Sequence, residues 1–381
     1  MAETKKYPNF FERIGISQEE VTQRIKKDFD FIFSGEHTIY HKDGAYGYLM
    51  DTGNNDVRSE GQSYGMMIAL QMQDQEMFDR IWGWSKKYML IKSGKNKGYF
   101  GWSAKTTGEL NSEGPAPDGE EFFAMALLFA ARVFKSDKYD YQQDASDILS
   151  AMVHNEEPMF NPENKLIKFV PNLEISDPSY HLPHFYELFA RWGNEADSGF
   201  FEEAVVASRR YLEKACHGET GLSAEYADYE GNPYNLRNHH LFYSDAYRTG
   251  ANIALDALWF GGSEFHRTQA KNILNFFVDK DGKIDEQKIN TVVHRDGRPA
   301  GQEELVTEVD GKPVGVLHPL GLIATLGTSA SLVEGELGDT YLKRLWESQP
   351  RTGGRRYYDN LLYFFAMLLL SGNYKMYKEK I

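Results

Sequence analysis

The sequence predicts an all-α protein in which six inner helices lie inside a ring of six outer helices, an (α/α)6 barrel. Along the 381 residues, six largely apolar segments alternate with six amphipathic ones. Helices that are apolar on nearly every side are buried, whereas helices with one charged face lie at a surface. Alternating apolar and polar runs are limited to short pieces such as 290–295, so a sheet of βαβ units is not expected.

The predicted inner helices share one pattern, in which a polar, aromatic or glycine-containing segment runs directly into a helix of high apolar content. They occupy residues 63–72, 120–134, 183–192, 246–260, 319–332 and 360–370. Each segment in front of them contains a carboxylate, His, Arg or Tyr. Because the inner helices of such a barrel begin at one rim, these side chains are expected to meet there from distant parts of the chain.

The predicted outer helices show charged and apolar faces at helical spacing. They occupy residues 20–33, 75–89, 145–154, 200–216, 263–278 and 337–348. No linker rich in Pro, Gly or Ser and no low-complexity tract divides the chain. A single domain over residues 1–381 is therefore expected.

Composition restricts the kinds of partner. The net charge of −14 argues against nucleic-acid backbones and anionic membranes, because both require clustered Lys and Arg. Aromatic residues make up 14% of the sequence, and Tyr and Trp outside apolar runs suit a surface that stacks against sugar rings or bases. An uncharged ligand fits this combination of negative charge and high aromatic content. The sequence does not predict an oligomeric state.

Cysteine and histidine usage argues against disulfides and metals. Cys216 is the only cysteine, which excludes an internal disulfide and a metal site with several cysteines. The pairs His181/His184 and His239/His240 lack the HExxH pattern, so neither a metal nor a cofactor is expected. The N-terminal segment has no apolar signal core, and no segment reaches the roughly 18 apolar residues of a spanning helix. A cytoplasmic location is therefore expected.

Three carboxylates, Glu60, Asp118 and Asp245, stand at equivalent entrances to inner helices. Each alone is explained as a helix N-cap, and this explanation is strong for Asp118, which begins an Asp-Gly turn. It fits Glu60 less well, because Glu is a weaker cap and Ser59 is expected to fill that position. Three acids in three equivalent places, each among glycines and aromatics, favour a catalytic site.

Two carboxylates across a sugar-sized cleft can cleave a glycosidic bond when one is protonated and the other ionised. Glu60 is followed by Gly61 and Tyr64, a setting that raises a carboxyl pKa and suits the acid. Asp245 has Arg248 three residues later on the same helix face, a neighbour that would keep it ionised. The sequence therefore predicts an acid and base pair, with the roles assigned provisionally.

Three segments resemble the signatures of glycoside hydrolase family 8, whose members are inverting enzymes on an (α/α)6 barrel: RSEGQSYGMM, APDGEE and YSDAYR. The resemblance extends over residues 45–375. It implies Glu60 as general acid and Asp245 as general base, with Asp118 holding and distorting the sugar next to the scissile bond. In an inverting pair the two carboxyl groups should lie about 6.5–9.5 Å apart.

Within the family, the closer resemblance is to enzymes that release xylose from the reducing end of xylo-oligosaccharides. It rests on GPAPDGEEFF, DPSYHLPHFYELF, LHPLGLIAT and RTGGRRYYDN. The resemblance implies that Leu317, His318 and Pro319 close the cleft beyond the leaving-group sugar and leave space for one xylose. By its position alone, His318 is better explained as a buried structural histidine ahead of a helix.

The predicted sugar-binding side chains are mostly aromatic, because Tyr and Trp combine an apolar face with a polar tip. They are Tyr64, Trp102, Tyr180, Arg248, His318, Tyr357 and Tyr358. Three alternatives stay open: an endo-acting relative on xylan, glucan or chitosan, a non-catalytic sugar-binding barrel, and a sugar epimerase that relies on paired histidines. The roles of His239 and His240 are not predicted.

Overall fold

The computed structural model describes residues 8–307 and 312–377, and helices dominate this part of the chain. The inner helices are α2 (Ser59–Gln71), α4 (Pro117–Val133), α6 (Pro183–Trp192), α8 (Tyr247–Phe260), α11 (Pro319–Ser329) and α13 (Arg356–Leu370). The outer helices are α1 (Gln18–Phe33), α3 (Gln75–Tyr88), α5 (Tyr141–His154), α7 (Ser198–Ala215), α9 (Glu264–Phe276) and α12 (Glu336–Glu347). A short additional helix, α10 (Glu286–Ile289), precedes α11.

The inner helices form a closed ring. Each contacts the next along the chain, and α13 packs back against α2. Each inner helix also carries an outer partner, with α1 on α13, α3 on α2, α5 on α4, α7 on α6, α9 on α8 and α12 on α11. The predicted (α/α)6 barrel is confirmed.

Local sequence explains where three of the outer helices, α1, α3 and α5, begin. Ser17 caps α1 through a capping box with Glu20, whose carboxylate accepts the Ser17 N–H at 2.9 Å. Asp74 and Asp140 cap α3 and α5 by accepting backbone N–H groups two or three residues into each helix. The inner helices lack such strong signals and are fixed instead by burial, since α2 and α13 are buried on nearly every face.

Three inner helices, α2, α4 and α13, begin three or four residues earlier than the sequence predicted. In α2 and α4 this places Glu60 and Asp118 inside the first helical turn. The expectation that Ser59 caps α2 is wrong. Arg58 occupies the cap position, and the Ser59 hydroxyl finds no hydrogen-bond partner within the described residues. Ser59 is buried against α4, where a Cβ at Gly119 would lie 2.6 Å from the Ser59 Oγ. Close packing of the two helices therefore decides the orientation of this side chain.

The described residues contain four short strands. β1 (Tyr40–Asp43) pairs with β2 (Tyr46–Leu49), and β3 (Asp56–Arg58) pairs with β4 (Ser103–Lys105), both antiparallel. Because β3 leads directly into α2, the second hairpin fixes the start of that helix. The segment 290–295 forms isolated bridges through Val293.

One large apolar cluster contains residues from Phe10 to Tyr377. That a single domain spans residues 1–381 stays a prediction. Among the helices of residues 8–307 and 312–377, none combines the length and apolar content needed to cross a bilayer. Residues 1–7, part of the N-terminal segment considered above, lie outside the described residues.

Candidate active site

One buried guanidinium joins the three predicted carboxylates. Arg248, which is 4% exposed, donates from Nη1 to Asp118 Oδ2 at 2.9 Å and lies 3.4 Å from Glu60 Oε2. Its Nη2 lies 3.1 Å from Asp245 Oδ1. Side chains from α2, α4 and the turn before α8 therefore share a single positive charge.

The surroundings of Glu60 favour its protonated form. Burial raises the pKa of Glu60 to about 8; Arg248 opposes this shift, while the Asp118 and Asp245 carboxylates add to it. The Tyr357 hydroxyl donates to Glu60 Oε1 at 3.1 Å. A carboxyl with this pKa is largely protonated at neutral pH and can donate a proton.

Asp245 lies in a 3₁₀ turn (Ser244–Ala246) immediately before α8. Besides the Arg248 contact, its Oδ1 accepts the Tyr358 hydroxyl at 3.3 Å, and its backbone N–H donates to Glu225 Oε1 at 3.1 Å. Ser244 has a φ of 29°, a left-handed conformation that costs energy for a residue with a side chain. The chain is therefore held in a strained turn that directs Asp245 toward the cleft.

Asp118 is more deeply buried than the other two acids, at 4% exposed. Burial raises its pKa, against the ion pair with Arg248 and the N–H of Gly119, which donates to Oδ1 at 2.9 Å. It also lines the cleft beside Glu60. Its position suits a residue that holds a sugar hydroxyl.

The cleft has two lobes that meet at Glu60 and Asp245. The larger, here named the aromatic lobe, has a volume of about 370 Å³. Its wall contains Trp102, Phe169, Tyr180 and Tyr226. The smaller, here named the terminal lobe, has a volume of about 220 Å³. Its wall contains Leu317, His318, Tyr357 and Tyr358.

Five of the seven predicted sugar-binding residues line these lobes. Trp102 is the most open, at 39% exposed, and the Arg58 guanidinium lies 5.5 Å from its ring centroid. The other two, Tyr64 and Arg248, line a separate cavity of about 60 Å³ inside the barrel. The Tyr64 hydroxyl accepts from Arg248 at 2.6 Å. Both side chains therefore support the site from below.

Sequence reasoning missed Glu225 and left His239 without a role. Glu225 is 2% exposed, and its Oε2 lies 2.6 Å from His239 Nδ1. Burial raises the pKa of Glu225 to about 7. Burial lowers the pKa of His239, but the hydrogen bond and charge of Glu225 outweigh it, and the net shift is upward. His239 lines both lobes at their junction, beside Asp245.

His240, His294 and Glu304 bring three potential metal-ligand atoms within 4.8 Å of one another. Arg298 Nη2 donates to His294 Nδ1 at 3.1 Å, which leaves the ring hydrogen on Nε2. That nitrogen faces Glu304 Oε2 at 3.1 Å and donates to it. Hydrogen bonds therefore satisfy His294 and Glu304, and the Arg298 guanidinium lies beside both, an arrangement unfavourable to an added cation.

Comparison with known proteins supports the resemblance found in the sequence. The family model for glycosyl hydrolases family 8 matches residues 40–297. The reducing end xylose-releasing exo-oligoxylanase of Halalkalibacterium halodurans is 47% identical, over 98% of this chain and 95% of its own. The protein of that name from Bifidobacterium adolescentis is 44% identical, over 96% of each chain.

The fold agrees equally well with a solved relative. Rex8A from Paenibacillus barcinonensis, in a structure complexed with xylose, superposes with a TM-score of 0.90 at 46% identity and covers 98% of both chains. The alternation of inner and outer helices, the three rim carboxylates and the family match all agree. This chain belongs to glycosyl hydrolases family 8 and is a glycoside hydrolase.

Proposed function

We propose that this enzyme hydrolyses β-1,4-linked xylo-oligosaccharides with inversion and releases xylose from the reducing end. The observation that carries the proposal is the position of Glu60 and Asp245, here named the catalytic pair, at the junction of a large and a small lobe. Relatives named for this activity, at 44–47% identity over nearly the full chain, support it.

The proposed reaction gives each member of the catalytic pair one role. Glu60 donates its proton to the glycosidic oxygen as the bond to the leaving xylose breaks. Asp245 removes a proton from water as its oxygen attacks the anomeric carbon from the opposite face. Asp118 holds the sugar next to the scissile bond, and Arg248 orients the three carboxyl groups from beneath the cleft. Two carboxylates and water suffice for this reaction, so the proposal includes no cofactor.

The unequal lobes support release of one sugar at a time. We assign the reducing-end xylose to the terminal lobe, which is closed by Leu317 and His318, here named the wall. The His318 ring lies edge-on to Tyr358 with centroids 4.9 Å apart, so an aromatic contact braces the wall. The remaining sugars occupy the aromatic lobe, where Trp102 and Tyr180 offer apolar faces.

The deciding experiment is incubation with xylotriose labelled at its reducing end, followed by product analysis and NMR. We expect labelled xylose, together with xylobiose whose new reducing end is first observed as the α-anomer. An initial β-anomer would contradict inversion. Internal cleavage of a polymer would favour the endo-acting alternative, and binding of xylotriose without hydrolysis would favour a sugar-binding barrel.

A cytoplasmic location is part of the proposal. Cys216 is buried in a small apolar cluster at the end of α7, and the chain contains no second cysteine for an internal disulfide, so folding does not depend on an oxidising compartment. Oligosaccharides are also small enough for import, unlike polymeric xylan. Fractionation of the native host should place the protein with cytoplasmic markers; recovery in the medium would contradict this.

A further inference from the structure

The first turn of α13 touches both members of the catalytic pair. The Tyr357 hydroxyl donates to Glu60 Oε1 at 3.1 Å, and that of Tyr358 donates to Asp245 Oδ1 at 3.3 Å. The next two residues, Asp359 and Asn360, are fully buried. Their polar side chains form hydrogen bonds to the segments around Arg351 and Gly321.

Asp359 binds the segment that carries the wall. Its Oδ1 accepts the backbone N–H of Gly321, in the first turn of α11, at 2.7 Å. Its Oδ2 accepts from Arg351 Nη1, and the same nitrogen donates to the carbonyl oxygen of Leu317 at 2.6 Å. His318 Nδ1 lies 3.6 Å from the same carboxylate. One ion pair, whose aspartate is fully buried, therefore holds the chain on both sides of His318.

Asn360 fixes the backbone of Arg351. Its Oδ1 accepts the Arg351 N–H at 2.6 Å, and its Nδ2 donates to the Arg351 carbonyl at 3.0 Å. Two successive residues of α13 thus hold both the backbone and the guanidinium of Arg351. These contacts hold Arg351 in one position although 32% of its side chain is exposed.

Apolar packing alone gives the wall weak support. Leu317 packs on a small apolar cluster of Leu241, Tyr243 and Val292, which is separate from the main core. Together with the aromatic contact between His318 and Tyr358, the polar contacts to α13 therefore connect the wall with the barrel. Because the same helix turn contacts the catalytic pair, these polar contacts also fix the distance between the wall and the pair.

We propose that Arg351 and Asp359 form a clamp that fixes the wall relative to the catalytic pair and thereby limits the leaving group to one sugar. The inference rests on the proposed function and deepens it. Neither residue lines the terminal lobe within the described part of the chain, so both are positioning residues. Their effect should be seen in the products, beyond any effect on rate.

The test is Arg351→Met, assayed on xylohexaose labelled at its reducing end. We expect labelled xylobiose and xylotriose to rise at least about tenfold relative to labelled xylose, equivalent to about 1.4 kcal/mol between competing cleavage positions. Arg351→Lys should keep the wild-type products, because a single nitrogen makes both contacts and an ammonium can replace it.

Arg13→Met is the matched control. Arg13 also pairs with an aspartate, Asp339, at 2.8 Å and donates to the carbonyls of Ala330 and Val333, but it does so at the opposite end of α11. It should lower stability and leave the product pattern unchanged. If Arg13→Met broadens the products as much as Arg351→Met, or if Arg351→Met releases only labelled xylose, the clamp is excluded.

A second variant covers the case in which Arg351→Met does not fold. Asn360→Ala releases the backbone of Arg351 without leaving Asp359 unpaired. We expect the same broadening of products and faster hydrogen exchange in residues 316–322; unchanged exchange and products would overturn the clamp. The unmodified enzyme serves as reference throughout: failure to release labelled xylose from it would contradict the proposed function itself.

Discussion

Arg248 on α8 and Asp118 on α4 are joined by a hydrogen bond of 2.9 Å across the rim, although 130 positions separate them in the chain. The same guanidinium contacts Glu60 and Asp245, so its removal leaves three neighbouring carboxylates without their shared cation. We expect Arg248→Met to lower the unfolding free energy by about 3–5 kcal/mol. It should reduce kcat on xylotriose by about 100-fold or more, because the three acids lose their orientation. Denaturant titration and steady-state kinetics check the two effects.

Arg209→Met is the control for Arg248→Met. It separates the specific effect of removing Arg248 from the general effect of removing a buried ion pair. Arg209, on the outer helix α7, binds Asp256 of α8 at 2.7 Å and Glu187 of α6 at 3.1 Å. We expect its substitution to reduce stability and leave kcat unchanged. An equal loss of kcat in both variants would show that activity follows general stability.

Glu60→Gln should remove the alkaline limb of the pH profile. A general acid with a pKa of about 8 is protonated below that value, so kcat/KM of the unmodified enzyme should fall as pH rises through 8. The variant should lose about 10²–10⁴-fold in activity on xylotriose, and less on an aryl xyloside whose leaving group needs no proton. Near-normal rates on xylotriose would remove Glu60 from the acid role.

The same substitution should change stability with a defined sign. The folded pKa of Glu60 is about 8 and the ordinary value is 4.5, so the folded state binds more protons between these pH values. Wild-type stability therefore falls as pH rises through this window. Glu60→Gln should be more stable than the wild type by about 0.5–2 kcal/mol at pH 8. The difference should shrink at pH 4.5; thermal unfolding at both values checks it.

The alternation of helices was predictable because burial imposes a period on the sequence that is visible without a structure. The three carboxylates were predictable for a related reason, since position relative to an apolar helix fixes position on the rim. The starts of α2 and α4 were less predictable. Arg58 carries no typical cap chemistry, and the orientation of Ser59 depends on its packing against Gly119.

A short stretch of sequence does not reveal how deep a side chain lies within the rim, or which distant residue it pairs with. Tyr64 and Arg248 were placed at the correct end of the barrel, but their side chains line the cavity beneath the cleft and not the cleft itself. Glu225 has no sequence feature that distinguishes it from a surface glutamate. Its partner His239 lies 14 positions away, and only the fold brings both beside Asp245.

Glu225→Gln tests the pairing with His239. Glutamine can still accept the Asp245 N–H, but it lacks the negative charge that raises the pKa of His239. We expect that pKa to fall, as measured by an NMR titration of the ring, and kcat on xylotriose to drop by about tenfold or more. Glu174→Gln removes an exposed carboxylate that is paired with the buried Lys168 at 2.6 Å, and it should change neither. An unshifted His239 titration would contradict the pairing.

Gly61→Ala should damage the catalytic pair through Tyr357. A Cβ at position 61 would lie 2.2 Å from the Tyr357 hydroxyl, which itself donates to Glu60. The ring is 2% exposed and fixed by its neighbours, so the hydroxyl must leave Glu60 or the helix must shift. We expect a loss of about 1–3 kcal/mol in unfolding free energy from overpacking. The kcat on xylotriose should fall by about tenfold or more.

Gly65→Ala is the matched control, one helical turn further along α2. Its Cβ would meet the flexible methyl groups of Leu49 at 2.5 Å and Ile81 at 3.2 Å, away from Tyr357. We expect a comparable change in stability with kcat retained, because those side chains can rotate and neither contacts Glu60. If Gly65→Ala loses as much activity as Gly61→Ala, the packing of α2 as a whole, and not the Tyr357 contact, controls the acid.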